Sequence, residues 1–352
     1  MFYKYEIKKE KKNSSLYLYL TMSYEFSKEL TQLNSDELLG KKINNFIKDN
    51  NISYNGDKVY LVVDDIIIKA VDIKNIEDNI EVLATTKSYS DNDFIVKIKL
   101  DNDVIVEISL KEYLLGVLAS NALSNLEEET LKALCILYIT YAFKMMKENN
   151  IIDSTNNFVT YRPISYYKLL WITEYNKIYS KLLDVIIKTN KEFITYQNNY
   201  ILPFVHLCNN GYTTSSLTYP YLVKRSSLWD YASSFYLTIK DIDYNTLEKK
   251  LNMRKEDIKN INILEITDSN NIKSIKIGSR IFTGDNLKVL LDLNSSDITI
   301  IINEDSIRFI TRGKGNNLGF SQFGANEIAK TGSNYVQLLK YYFPTTSVKK
   351  YK

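Results

Sequence analysis

The pattern of apolar and polar positions changes character several times along the chain. Leu16–Met22 and residues 58–73 are rich in Val, Ile, Leu and Tyr, and they predict strands. Between them, Ser35-Asp36-Glu37 caps a run through Ile47 in which Leu38, Leu39, Ile43 and Ile47 share one face, which predicts a helix. Phe94–Leu100 and Val104–Leu110 alternate on either side of Asp101-Asn102-Asp103 and predict a hairpin. From Glu112 to Asn149 the spacing turns helical, in two parts separated by Asn121–Asn125. Ser124 and Glu127 stand in capping-box register at the start of the second part. Glu127, Glu128 and Glu129 then bring negative charge to the positive end of that helix. Leu131, Leu134, Cys135, Tyr138, Ala142 and Met145 recur along it, so a buried scaffold helix is expected with Cys135 in its core.

Helix continues through Ser165–Leu183, and strand and loop follow over Tyr200–Leu222. Residues 237–302 then read as a small α+β insertion. It has helices at Asn245–Leu251 and Asp285–Leu291, and strands at Ile261–Ile266, Ile272–Ile277 and Asp297–Ile302. A Gly-rich loop, a helix interrupted at Gly332 and a terminal helix Asn334–Tyr342 before Pro344 complete the chain. The fold class is α+β: an N-terminal α+β region (1–100), a mixed core (101–236), the insertion (237–302) and the rest of the core (303–352).

Composition narrows the function. A net charge of +3 with no basic block argues against a nucleic-acid partner. The most apolar uncharged stretch, Ala133–Phe143, is far shorter than the roughly 18 residues a membrane span needs. The N-terminus turns charged at once, unlike a signal peptide, so by sequence a soluble, cytoplasmic chain is expected. Two cysteines and one histidine supply no zinc cluster, and no cofactor is expected. His206 is the single possible base for a Ser–His–Asp triad, and no G-x-S-x-G elbow accompanies it. No P-loop or dinucleotide-binding glycine pattern occurs.

Three stretches resemble one known family. LKEYLLGVLASNALSNLEEETLKALCILYITYAF, from Leu110, is similar to the signature of the stage II sporulation protein D (SpoIID) family, which shares a domain with the amidase enhancer LytB. That signature reads L-x-x-Y-V-x-G-V-V-A-x-E-M-P, then E-A-L-K-A-Q-A-x-A-A-R-T-Y. PFVHLCNNGYTTSSLTYPYLVKRSSLWD, from Pro203, resembles the family's F-H-S-x-x-G-G-x-T with P-Y-L and W-D. RGKGNNLGFSQFGANEIAKTGSNYVQLLKYYFP, from Arg312, resembles G-x-G-H-G-V-G-M-S-Q-x-G-A and the helix that follows. Together they span about Leu110 to Pro344.

The resemblance implies a SpoIID-like mixed core and a sporulation-linked lytic transglycosylase acting on denuded peptidoglycan glycan strands. In that chemistry a carboxylic acid protonates the glycosidic oxygen. The family's acid is the Glu of A-x-E-M-P, and that position here is Asn121, whose amide has no proton to give. The family Arg becomes Ile139, and the His of G-H-G-V-G becomes Asn316. A Cys/His zinc-binding segment seen in some members has no counterpart in Ile151–Leu170.

Glu129, Lys132, His206, Trp229, Asp230, Gly313, Gly315, Gly319, Ser321, Gln322, Gly324 and Ala325 keep the family residue, and Gly211, Tyr212 and Thr213 match the G-x-T turn. The candidate catalytic positions are therefore Asn121 and Glu129. His206, Gly211, Tyr212, Thr213, Gly315, Asn316, Ser321 and Gln322 are the candidate substrate-binding residues, and no metal ligands are assigned. Trp229 is expected in the core, with stacking on a sugar ring as the alternative.

The expected function is a degenerate lytic transglycosylase that binds glycan strands, or a cell-wall amidase or other hydrolase partner, without efficient cleavage. One alternative is an active enzyme with Glu128 or Glu129 as substitute acid. Another is an intracellular interaction protein, favoured by the N-terminus that reads unlike a signal peptide, whereas the family is usually membrane-anchored and extracytoplasmic.

Overall fold

The computed structural model describes residues 2–9, 16–22, 43, 58–63, 66–72, 94–100, 105–154, 158–171 and 174–351. The predicted helix over 35–47 lies outside them except for buried, helical Ile43. The Asp101-Asn102-Asp103 turn also lies outside. The described part is α+β, as its patterning predicts. It divides into two units, one of residues 1–120 with 150–181 and one of residues 121–149 with 182–352.

In the first unit, β1 (Phe2–Lys9) pairs antiparallel with β2 (Leu16–Met22), and β2 pairs parallel with β3 (Lys58–Val63). β4 (Ile66–Asp72) closes that sheet antiparallel to β3, so the apolar run 58–73 is two strands. The predicted hairpin forms as β5 (Ile95–Lys99) and β6 (Ile105–Ser109), with β7 (Ile152–Asp153) on its other edge. Helix α1 (Leu110–Asn121) follows β6 directly and buries Tyr113, Leu114, Val117 and Leu118. The Ser120 hydroxyl accepts hydrogen bonds from the Arg162 amide and the Tyr167 hydroxyl, which ties residues 161–167 to this helix.

The second unit is built on α2 (Glu128–Glu148), whose residues Ala133–Phe143 are buried all round, the mark of a core helix. Helix α3 (Tyr175–Thr189) ends against it, where Thr189 and Cys135 share a hydrogen bond. The helix predicted over 165–183 is present as a short helix, Tyr167–Trp171, and α3. A sheet of β8 (Glu192–Tyr196), β9 (Asn199–Tyr200) and the C-terminal β18 (Ser347–Lys350) lies on α2. Gln197 and Asn198 turn the β8–β9 hairpin with φ of 48° and 65°, the geometry a tight two-residue hairpin requires. Phe143 meets Phe193 edge-on at 5.5 Å, and the Thr140 hydroxyl accepts the Ile194 amide.

Residues 237–312 contain two sheets. β11 (Leu237–Asp243) and β15 (Ile298–Ile302) flank β16 (Ser306–Arg312), and β12 (Ile261–Ile266), β13 (Ile272–Ile277) and β14 (Arg280–Thr283) form a meander. Helices α4 (Tyr244–Leu251) and α5 (Gly284–Leu291) are capped by the Asp243 and Thr283 side chains. Leu247, Ile275, Leu287, Leu291, Ile307 and Phe309 meet in one apolar cluster. Because β16 is the centre of its sheet, this core takes in residues up to Arg312.

Two short parallel strands, β10 (Val205–His206) and β17 (Phe320–Ser321), then deliver the chain to α6 (Gln322–Lys330) and α7 (Tyr335–Tyr342). α7 opens on a complete capping box of Asn334 and Gln337. The box predicted at Ser124 does not form. The N-cap position of α2 is Glu127, whose side chain makes no cap, and Asn326 of α6 accepts the Glu127 backbone N–H instead. A neighbouring helix thus satisfies the donor that a local serine was expected to take.

Candidate functional site

Ser321 and Gln322 lie at the junction of β17 and α6, and both are buried. The Gln322 amide donates to the Asn121 carbonyl and accepts the Leu123 N–H, each at 2.8 Å. One side chain therefore clamps the backbone around Asn121. The Ser321 hydroxyl donates to Asp230 at 2.7 Å and, as the N-cap of α6, accepts the Gly324 amide. Asp230 is fully buried and also accepts the Ser227 hydroxyl at 2.6 Å, which in turn lies 2.9 Å from the Tyr342 hydroxyl. Burial raises the Asp230 carboxyl to about 6, against the serine hydrogen bonds that lower it. Gly324 is required here, because a Cβ would lie 2.3 Å from Ser227 Oγ and 2.6 Å from Asp230 Oδ2. The W-D and S-Q-x-G-A motifs, far apart in sequence, are two halves of one buried pocket.

His206 sits beside this pocket on β10. Its Nδ1 donates to the Leu318 carbonyl at 3.0 Å, which leaves Nε2 unprotonated, buried and without a hydrogen-bond partner among the described residues. Burial lowers its pKa to about 4, so the ring is neutral at neutral pH. Gly315, at φ 138°, packs on it so closely that a Cβ would lie 2.4 Å from His206 Cβ. The Asn316 side chain accepts the Leu318 amide and so shapes the loop from within. Thr213 bridges two chain segments by accepting the Arg225 amide and donating to the Val223 carbonyl. Gly211 accepts the Ser227 amide in the same pairing, while Tyr212 is exposed, with Lys224 lying 5.0 Å over its ring.

The structure thus brings Asn121, His206, Gly315, Asn316, Ser321 and Gln322 around β10 and β17, with Gly211–Thr213 on the adjoining segment. Glu129 is engaged elsewhere. Its carboxylate holds Lys132 at 2.8 Å and accepts the Tyr335 amide at the start of α7. Glu128 bonds both Lys132 and Lys188, and these hydrogen bonds hold its pKa down at about 2. Trp229, expected in the core, is 40% exposed. Its one-turn helix, Leu228–Ala232, sends Asp230 inward and Leu228, Trp229 and Tyr231 outward.

Sequence reasoning missed a buried polar network. The Asn210 side chain donates to Asp297 and to the Ser269 carbonyl. Asn317 donates to Asn271, which donates in turn to Thr214 and Ser269. It ties the loops at 209–214 and 316–317 to the insertion. Each of the Asn-Asn pairs at 209–210, 270–271 and 316–317 gives one member to it, but five other Asn-Asn pairs occur in the chain, so the sequence alone does not single these out. Among the described residues no group of His, Cys, Asp and Glu is placed to hold a metal ion, and no helix is long and apolar enough to cross a membrane.

The family model described as stage II sporulation protein (SpoIID) matches residues 100–196, a span that includes Asn121 and Glu129. Stage II sporulation protein D of Bacillus subtilis (strain 168) is 29% identical over 261 residues, covering 70% of this chain and 76% of its own. That of Bacillus amyloliquefaciens is 27% identical over 259 residues, covering 70% and 75%. Over residues 100–196 this chain matches the SpoIID family. An uncharacterized protein of Brachyspira hyodysenteriae is 23% identical over 256 residues, covering 68% of this chain and 66% of its own. The match links this chain to sporulation, and within the family pattern it carries Asn121 where the signature has Glu.

Proposed function

We propose that this SpoIID protein binds peptidoglycan glycan strands without efficient cleavage, and that it is a degenerate lytic transglycosylase. The observation that carries the reading is the Gln322 clamp, which keeps the backbone at 121–123 in place while residue 121 is an amide. An amide can hydrogen-bond a sugar oxygen or an N-acetyl group, but it cannot protonate a leaving glycosidic oxygen. The neighbouring carboxylates support the same reading. Glu128 is paired with two lysines and held ionised, and Glu129 is bonded to Lys132 and the Tyr335 amide. For Glu128 this is the opposite of what a general acid needs, an environment that raises its pKa. The Glu129 carboxylate is already taken up by its two bonds. Asp230 has such a pKa but is sealed beneath Ser227, Ser321 and Tyr342, out of reach of a polymer. His206, neutral and buried, is no proton donor at neutral pH.

The test compares this chain with its Asn121→Glu variant on purified peptide-free glycan strands, reading bound protein by pelleting and released sugars by mass spectrometry. Binding by both, with anhydro-muramic products from the variant alone, is expected. Anhydro products from the unaltered chain would overturn the reading in favour of an active enzyme. Absence of binding in both would leave a cell-wall hydrolase such as an amidase, or an intracellular partner, as the ligand class to pursue.

A further inference from the structure

Trp229, Tyr341 and Arg225 form a ladder on the surface above the Asp230 pocket. Trp229 meets Tyr341 edge to face at 5.9 Å with rings inclined 77°, and the Arg225 guanidinium lies 4.9 Å from the centre of the Tyr341 ring. Arg225 Nε donates to the Tyr341 carbonyl, so the cation is held against the ring by a hydrogen bond. The two aromatic rungs are anchored from below. Trp229 follows from Asp230 on the one-turn helix, Tyr341 adjoins Tyr342, and Asp230 and Tyr342 share Ser227. The Tyr341 hydroxyl donates to the Ser226 carbonyl and fixes that ring from its other end.

Two features of the ladder call for a ligand. Trp229, Leu228 and Tyr231 remain 40%, 47% and 49% exposed on a segment that the buried carboxylate holds rigidly, an arrangement suited to a contact surface. Arg225 pairs with no carboxylate among the described residues. An aromatic face offers a platform for the apolar face of a pyranose ring, and an unpaired guanidinium offers a bidentate partner for a carboxylate.

We propose that this ladder is a sugar-stacking subsite for a polysaccharide that carries carboxylates, with Trp229 under the sugar ring and Arg225 on the acid. The inference rests on the glycan-binding reading above and gives it a place. A peptide-free peptidoglycan strand meets the requirement, because each muramic residue bears a lactyl carboxylate beside its ring.

The test uses the full chain with Trp171→Phe, which leaves Trp229 as the single tryptophan and a fluorescent reporter. It is titrated with soluble peptide-free glycan strands and, separately, with uncharged N-acetylglucosamine oligomers. Trp229 emission should change on binding, with the charged strands bound more tightly. Trp229→Ala should weaken pelleting with glycan about tenfold at an unchanged melting temperature. Arg225→Gln should abolish the preference for the charged strand. If the unaltered chain binds neither sugar, the glycan-binding reading fails and the subsite with it. If it binds and Trp229→Ala binds equally well, the subsite alone is overturned. A concentration-dependent dimer that Trp229→Ala dissolves, with glycan binding intact, would assign the surface to a second copy of the chain and overturn the subsite too.

Discussion

In the insertion, Leu247, Ile275, Leu287 and Ile307 pack in an all-apolar cluster. Beneath Trp229, the buried space is filled instead by Asp230, Ser227, Ser321 and the Tyr342 hydroxyl, each bonded to another. Both regions are buried and belong to the same unit. They differ in what a change does to them. An apolar core asks for volume and tolerates a swap that keeps it, whereas a polar pocket asks for a donor facing each acceptor and penalises the loss of either. The W-D and S-Q-x-G-A motifs build the second kind of region, and the Leu247 cluster is of the first.

The sharpest way to break the comparison is Gly315→Ala. A methyl group at φ 138° and 2.4 Å from His206 Cβ combines backbone strain with overpacking, so a loss of about 4 kcal/mol in urea unfolding is expected. A loss below about 1 kcal/mol would show that the loop yields easily. Next comes Asp230→Ala, which leaves the Ser227 and Ser321 hydroxyls without their acceptor and should lower stability by about 3 kcal/mol.

Titration distinguishes the two buried ionisable groups, and their effects oppose. Asp230 binds its proton up to about pH 6 in the folded chain, above the carboxylate's ordinary range. It therefore favours folding at low pH, and that contribution is lost as pH rises through 6. His206 releases its proton near pH 4 when folded, well below its ordinary 6.5. It disfavours folding in acid, and stability is regained as pH rises from 4 to 6.5. Relative to the unaltered chain, Asp230→Asn should gain about 2 kcal/mol of stability between pH 4 and 6, and His206→Gln should lose a similar amount over pH 4 to 6.5. Parallel stability curves for all three proteins would refute both assignments.

The apolar region should respond gently. Leu287→Met is expected to cost about 1 kcal/mol by chemical denaturation, and a loss as large as that of Asp230→Ala would erase the contrast. The smallest effect belongs to the surface. Glu128→Gln gives up exposed ion pairs to Lys132 and Lys188, so a change of about 0.5 kcal/mol is expected, diminishing in salt.

Where periodicity speaks, the sequence was readable. Leu16–Met22, the hairpin around 101–103, the scaffold helix with Cys135 in its core and the paired helices after Ser321 all follow from local alternation or helical spacing. Where the signal was a short polar motif, reading it locally misled. Ser124 and Glu127 had the register of a cap, but Asn326 took the donor. Trp229 had the composition of a core residue, but its neighbour Asp230 went inward in its place. Gln322 was legible as a family position, although its bond to the backbone at 121 was not.

By itself the sequence determined the α+β class, most element positions in the described part, the family and the amide at position 121. Each of these is written in neighbouring residues or in a motif whose members stand close together. Tertiary structure alone decided that Ser321 meets Asp230 across 91 residues and that Gln322 holds the backbone at 121 across 201. A hydrogen bond needs its partner within about 3 Å and correctly aimed, and no periodicity along the chain records that meeting. Apolar burial has no such directional demand, so its pattern can be seen before the chain folds.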